Sequence, residues 1–144
     1  MMGEIKFIHG AISSTHINKL YELDNNNISG AQILFTGKVR PDVINDKRVS
    51  SIEFTAYEPM VEEQFKILVE EIKGKYDVFS ILLVHSLGNV PANDLCMAVF
   101  VSSAHREVAY QASKVLVEKI KSDLPIWGKE IFETGENQLK VNKM

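Results

Sequence analysis

The chain has 144 residues, enough for one domain with its own core and no metal or disulfide staple. Apolar residues make up 45% and charged residues 24%, which excludes wholesale disorder. The net charge of -3 is the wrong bias for a general nucleic-acid binder, and the lone Cys96 excludes an intrachain disulfide and a cysteine-based zinc site.

Met1 to Phe7 carries Glu4 and Lys6 and lacks the apolar core of a signal peptide. The longest apolar run, Ile81 to Val84, is far short of the ~20 residues that span a bilayer. A cytoplasmic protein with no membrane segment is expected.

Ile5 to Ile8 reads as a short strand. Ser13 or Ser14 can cap a helix over Thr15 to Leu23, where Ile17, Leu20 and Tyr21 recur at helical spacing. Ala31 to Val39 reads as a strand, and Gly37 within it suggests a bulge or a close backbone approach. Residues 41–47 hold Pro, two Asp and Asn, the composition of a mobile polar loop. Val49 to Tyr57 alternates like a half-buried strand. Pro59 suits a helix start, after which Val61, Phe65, Leu68, Ile72 and Tyr76 form one apolar stripe. Val78 to Val84 is almost uniformly apolar, the pattern of a central strand. Leu87 to Asp94 reads as a turn region, Leu95 to Val101 as a buried strand, and Ala104 to Lys121 as a helix stopped by Pro125. Lys129 to Phe132 is a last short strand, and 136–144 is a polar tail. A single α+β domain over 1–144 follows, with helices packed on a mixed or antiparallel sheet.

GxSxG, GxxxxGK[ST] and HExxH are all absent, and the four histidines have no metal-ligand spacing. No metal or cofactor is expected. The informative feature is the placement of cations. Lys38 and Arg40 end a strand. His105 and Arg106 sit where a buried strand hands over to a helix, whose free N–H groups and dipole attract anions. Lys121 lies on the order of 24 Å further along that helix, and Lys129 follows Pro125-Ile126-Trp127. Either the tail curls back, or two subunits share one site. Helix-end lysines are also favoured by the dipole alone. Trp127 reads as a core or interface anchor, and Cys96 as an inert small hydrophobe.

Phe35-Thr36-Gly37-Lys38-Val39-Arg40, Tyr57-Glu58-Pro59-Met60, His85-Ser86-Leu87-Gly88, Ser102-Ser103-Ala104-His105-Arg106, Lys121 and Pro125 to Glu130 together resemble the large, catalytic subunit of molybdopterin synthase. The likeness runs from about Ile5 to Gly135. It implies an α/β hammerhead fold with a ferredoxin-like part. It implies a homodimer with a small ubiquitin-like sulfur carrier at each end. The implied reaction converts cyclic pyranopterin monophosphate into molybdopterin, with two sulfurs arriving from the thiocarboxylated Gly-Gly terminus of the carrier. By position, Lys38, Val39, Arg40, His105, Arg106, Lys121, Gly128, Lys129 and Glu130 fall on substrate-binding segments. Lys121 and Lys129 are the candidate catalytic amines.

Two positions depart from the family pattern. Gly128 stands where a lysine is usual, and Ser86 where an arginine is usual. Both changes remove a cation. The alternative they raise is a catalytically impaired relative that binds pterin and partner.

Overall fold

The structure, a computed structural model, describes residues 2–141. The elements run β1 (Met2–His9), α1 (Ser14–Leu23), β2 (Ala31–Lys38), β3 (Val43–Ile44), β4 (Lys47–Ala56), α2 (Glu58–Lys75), β5 (Val78–Pro91), β6 (Leu95–Ser103), α3 (Arg106–Asp123), β7 (Ile126–Phe132) and β8 (Asn137–Leu139). The strands form one mixed sheet in the order β2-β6-β5-β4-β7-β8. β1 runs parallel to β5, and β3 pairs with β4.

The near-uniform apolar run in β5 is explained by helices on both faces. Ile81 and Leu83 point toward α2 and α3, where they meet Phe65, Leu116 and Ile120. Leu82 and Val84 point the other way, toward Leu20 of α1 and Phe100 of β6. Phe65 and Phe100 are both fully buried, and truncating either to alanine costs about 3–5 kcal/mol. A third apolar group, with Val39, Val49, Ile52, Val90 and Phe132, closes the β4–β7 end.

β5 does not stop at Val84. It continues through Pro91, so most of the expected turn region 87–94 is strand and only the segment after Pro91 turns. Its first part pairs with β1 and β6, and its last part pairs with β4. Gly88, at φ +78°, is where the strand passes between these partners, a left-handed conformation open to glycine at no steric cost. The composition Gly88, Asn89, Pro91 imitates a turn, while the full burial of Val90 reveals a strand.

Two further segments gained strand character. Residues 41–47 hold β3 and a tight turn into β4, in place of the expected loop. Asn45 and Asp46 both have positive φ, as a two-residue primed turn requires, and Val43 and Ile44 pair with Arg48 and Lys47. In the tail, β8 pairs with β7. β7 itself begins at Ile126, earlier than the expected Lys129, and so takes in Trp127 and Gly128. Residues 142–144 of the expected tail lie outside the described residues.

One buried polar group ties α1 to the sheet. Asp24, just past the helix, accepts hydrogen bonds from Ser80 Oγ (2.7 Å), Ser102 Oγ (2.8 Å), Asn26 Nδ2 (2.7 Å) and Gln32 Nε2 (2.9 Å). Burial pushes its carboxyl up. The four donors, led by Gln32, outweigh that and hold it below the ordinary aspartate value.

Candidate active site

A cleft of about 320 Å³ opens where the C-terminal end of α3 meets the junction of the two sheet halves. β2 contributes Gly37 and Lys38, and Arg40 follows. The register of β2 on β6 shifts between Gly37 and Lys38, so the sequence signal at Gly37 corresponds to a bulge. β4 contributes Ile52 and Phe54, α3 contributes Ile120 and Lys121, and β7 contributes Ile126, Trp127 and Gly128. The cleft gathers cations in a chain of negative net charge. Lys38, Arg40, Lys121 and Lys140 all line it. Arg40 Nε is 3.4 Å from Asp42 Oδ1, and Lys121 Nζ stands 6.0 Å from the Phe35 ring centroid, at the outer range of a cation–π contact.

Not every candidate residue reaches the cleft. Val39 is 1% exposed and sits in the core. Its N–H donates to Asp94 O, and its carbonyl accepts from Asn93 N. It fixes the backbone between Lys38 and Arg40 and offers no side chain to a ligand. Glu130 is buried and accepts a bond from Gln138 Nε2 at 3.3 Å. Lys129 lies outside the cleft lining and pairs with Glu53 at 3.7 Å across β7 and β4. His105 is the N-cap of α3 and Arg106 its first residue, with the His105 carbonyl accepting from Ser103 Oγ. They stand at the opposite end of α3 from Lys121, about 24 Å away at 1.5 Å per residue.

The cleft also holds residues that the sequence did not single out as site residues. His85 is one. The residue is 7% exposed and lines the cleft, and its ring meets Phe54 edge-on, with centroids 5.2 Å apart. Nδ1 lies 2.8 Å from the Ser86 carbonyl and therefore carries the proton, leaving Nε2 as the basic nitrogen. Burial holds the imidazole below its ordinary pKa. Nearby Lys121 adds to that effect, against the opposing bond to Ser86. His85 is thus neutral near pH 7. The neighbouring Ser86 points away from this face and is fully buried. Its Oγ has no hydrogen-bond partner among the described residues.

Cys96 also lines the cleft, with Sγ donating to Gly37 O at 3.5 Å. Burial pushes its thiol up, and Lys121 and Lys140 only partly counter this. Trp127 is 52% exposed, so it belongs to the cleft rim and not to the core of this chain. Among the described residues no group of His, Cys, Asp or Glu can hold a metal ion, and no helix is long and apolar enough to cross a membrane.

The family model of the MoaE protein matches residues 9–123. The molybdopterin synthase catalytic subunit of Bacillus subtilis is 38% identical over 108 residues, which is 75% of this chain and 68% of that protein. The chain belongs to this family. The bovine catalytic subunit is 33% identical over 139 residues, covering 96% of this chain and 71% of the relative. The match to the rat subunit, at 36% identity over 81% of this chain, spans 58% of the rat protein. The crystal structure of molybdopterin synthase from Staphylococcus aureus superposes with a TM-score of 0.84 at 30% identity, covering 95% of this chain and 96% of that one. A chain from the Helicobacter pylori complex of subunits 1 and 2 of molybdopterin-converting factor shares the fold, with a TM-score of 0.80 at 22% identity over 96% of this chain and 91% of that one. The MoaE fold is therefore the observed α+β sheet with its three helices.

Proposed function

We propose that this MoaE-family chain is the catalytic subunit of a sulfur transferase that converts cyclic pyranopterin monophosphate into molybdopterin. Sulfur comes from the thiocarboxylated C-terminus of a small ubiquitin-like carrier. The observation that carries this is the convergence of Lys38, Arg40 and Lys121 on one cleft. A phosphate ester is the matching ligand, because guanidinium and ammonium donors form strong charge-assisted bonds to its oxygens. Phe54 and Trp127 add flat apolar surface suited to a pterin ring.

In each transfer the carrier's sulfur attacks a side-chain carbon of the pyranopterin and displaces an oxygen from it, which leaves as phosphate-ester oxygen or water, so that carrier and pterin are joined as a thioester. Water then attacks the acyl carbon and breaks the acyl C–S bond, leaving the sulfur on the pterin and the carrier as a carboxylate. Two carriers deliver the two sulfurs of the dithiolene. Lys121 is the group for proton transfer at the thiocarboxylate, and neutral His85 can accept a hydrogen bond beside it through Nε2. Cys96 is not the sulfur carrier, since burial keeps its thiol protonated.

His105 and Arg106 lie too far along α3 to serve the cleft of their own chain. A homodimer that brings the α3 N-terminus of a second copy to each cleft completes the site, with one carrier per cleft. The location is the cytoplasm.

Purified chain, thiocarboxylated carrier and the pyranopterin should yield molybdopterin, and Lys121→Ala should not. No product with a competent carrier refutes the proposal. Gly128 favours a second reading, a module that binds pterin and carrier without turnover. Binding of both with no product would support it.

A further inference from the structure

Gly128 has no side chain, and its place in the cleft wall is already filled. A β-carbon there would stand 2.9 Å from Ile52 Cγ2 and 3.3 Å from Phe54 Cε1. Any cation on this part of the wall must come from another segment, and the chain end supplies one. β8 lies antiparallel to β7, with Leu139 opposite Lys129. The next residue, Lys140, donates its backbone N–H to the Gly128 carbonyl at 2.8 Å. That bond fixes the Lys140 backbone against Gly128. Lys140 lines the cleft that Lys121 also lines.

We infer that Lys140 contacts the substrate, placing on the cleft the amine that position 128 lacks and binding an anionic oxygen of the phosphate ester. This rests on the pyranopterin monophosphate reading above. No ion pair among the described residues uses Lys140, so no carboxylate competes for it. Lys121 and Lys140 both draw the Cys96 thiol down against the larger effect of burial, so the two ammonium groups converge on one region. The flexible stem of lysine suits this reach from a strand end. Lys129, adjacent to Gly128 in sequence, is engaged by Glu53 instead.

The test uses the full chain with Lys140→Gln, Lys140→Arg and, as a control for lost surface charge, Lys73→Gln on α2. The first readout needs no substrate. Cys96 is the chain's one cysteine, so its alkylation by iodoacetamide as a function of pH reports its titration. Lys121 of α3, Lys140 after β8, His85 of β5, and Lys38 and Arg40 at the end of β2 share the cleft with that thiol. Lys140→Gln should move the titration upward, and Lys73→Gln should not. The second readout is KM for the pyranopterin. Loss of one charge-assisted contact should raise it about tenfold in Lys140→Gln, with most of the affinity kept in Lys140→Arg. An unchanged thiol titration or an unchanged KM in Lys140→Gln overturns the inference. A wild-type chain that forms no product overturns the sulfur-transfer reading and, with it, the ligand assigned to Lys140. The thiol titration then still decides whether Lys140 reaches the cleft.

Discussion

Phe54 and Gly128 face each other across β4 and β7, and the Phe54 ring stands 3.3 Å from where a β-carbon on Gly128 would begin. The glycine is thus part of the packing of the cleft wall. Ile52 crowds the same point and is nearly fully buried. Gly128→Lys should therefore overpack the wall and lower stability by about 1–3 kcal/mol. Urea unfolding checks this. Pairing it with Ile52→Ala, which removes the crowding Cγ2, should cost less than the sum of the two single changes, a coupling that a double-mutant cycle measures. Turnover should not rise in Gly128→Lys. A gain in turnover would favour the binding-module reading.

Asp24 gives a second prediction. Its carboxylate satisfies two buried hydroxyls, Ser80 and Ser102, and two amides. Asp24→Ala should cost roughly 2–4 kcal/mol through donors left without an acceptor. The carboxyl pKa is lowered in the fold. Its stabilisation is therefore fully present above the unfolded-state value and lost as pH falls through the folded one. Asp24→Asn should lose that part of the acid dependence. Unfolding curves at several pH values between neutral and strongly acid would show it.

His85 shows how much of the site was legible in the sequence. The cation segments were visible as patterns because Lys38, Arg40 and Lys121 end elements, where a charged side chain stands out. His85 sits inside an apolar strand, and only the meeting of β5, β4 and α3 gives it a cleft to line. Lys140 was hidden for another reason. It follows a three-residue strand in a polar stretch, and strand pairing of that length is set by the neighbour β7, with no periodicity of its own. The long helices and central strands were legible because burial on fixed faces leaves a period. The β5 extension was not, since Gly88 and Pro91 serve a strand crossing between two sets of partners while looking like a turn.

The neutral state of His85 can be observed directly. Its pKa is lowered, so nitrogen NMR should find Nδ1 protonated at neutral pH and titration below the ordinary histidine range. Because the folded pKa lies below the unfolded one, His85 favours the fold above the unfolded value, and this contribution is lost as pH falls through the folded value. A ring fully charged at neutral pH would contradict the burial that lowers its pKa, and a neutral ring protonated at Nε2 alone would contradict the Ser86 hydrogen bond.

Sharing of sites between two copies predicts complementation. Arg106→Ala and Lys121→Ala should each be inactive alone. After subunit exchange, half of the dimers are mixed and each has one intact site, so about a quarter of wild-type activity should return. No recovery after verified exchange would mean that each chain builds its site alone.

The role of the carrier predicts that Cys96→Ser keeps its turnover within about twofold, since a thiol held protonated does no sulfur chemistry. A loss of several orders of magnitude would make Cys96 the sulfur acceptor.

Intact-mass spectrometry of the carrier, followed through the reaction together with the pterin product, tests the central claim most directly. The wild-type chain should convert the thiocarboxylate to carboxylate only when the pyranopterin is present, with two carriers consumed per dithiolene formed. Lys121→Ala should leave the thiocarboxylate intact. A carrier that keeps its sulfur in the presence of wild-type chain and pyranopterin would contradict sulfur transfer at this cleft.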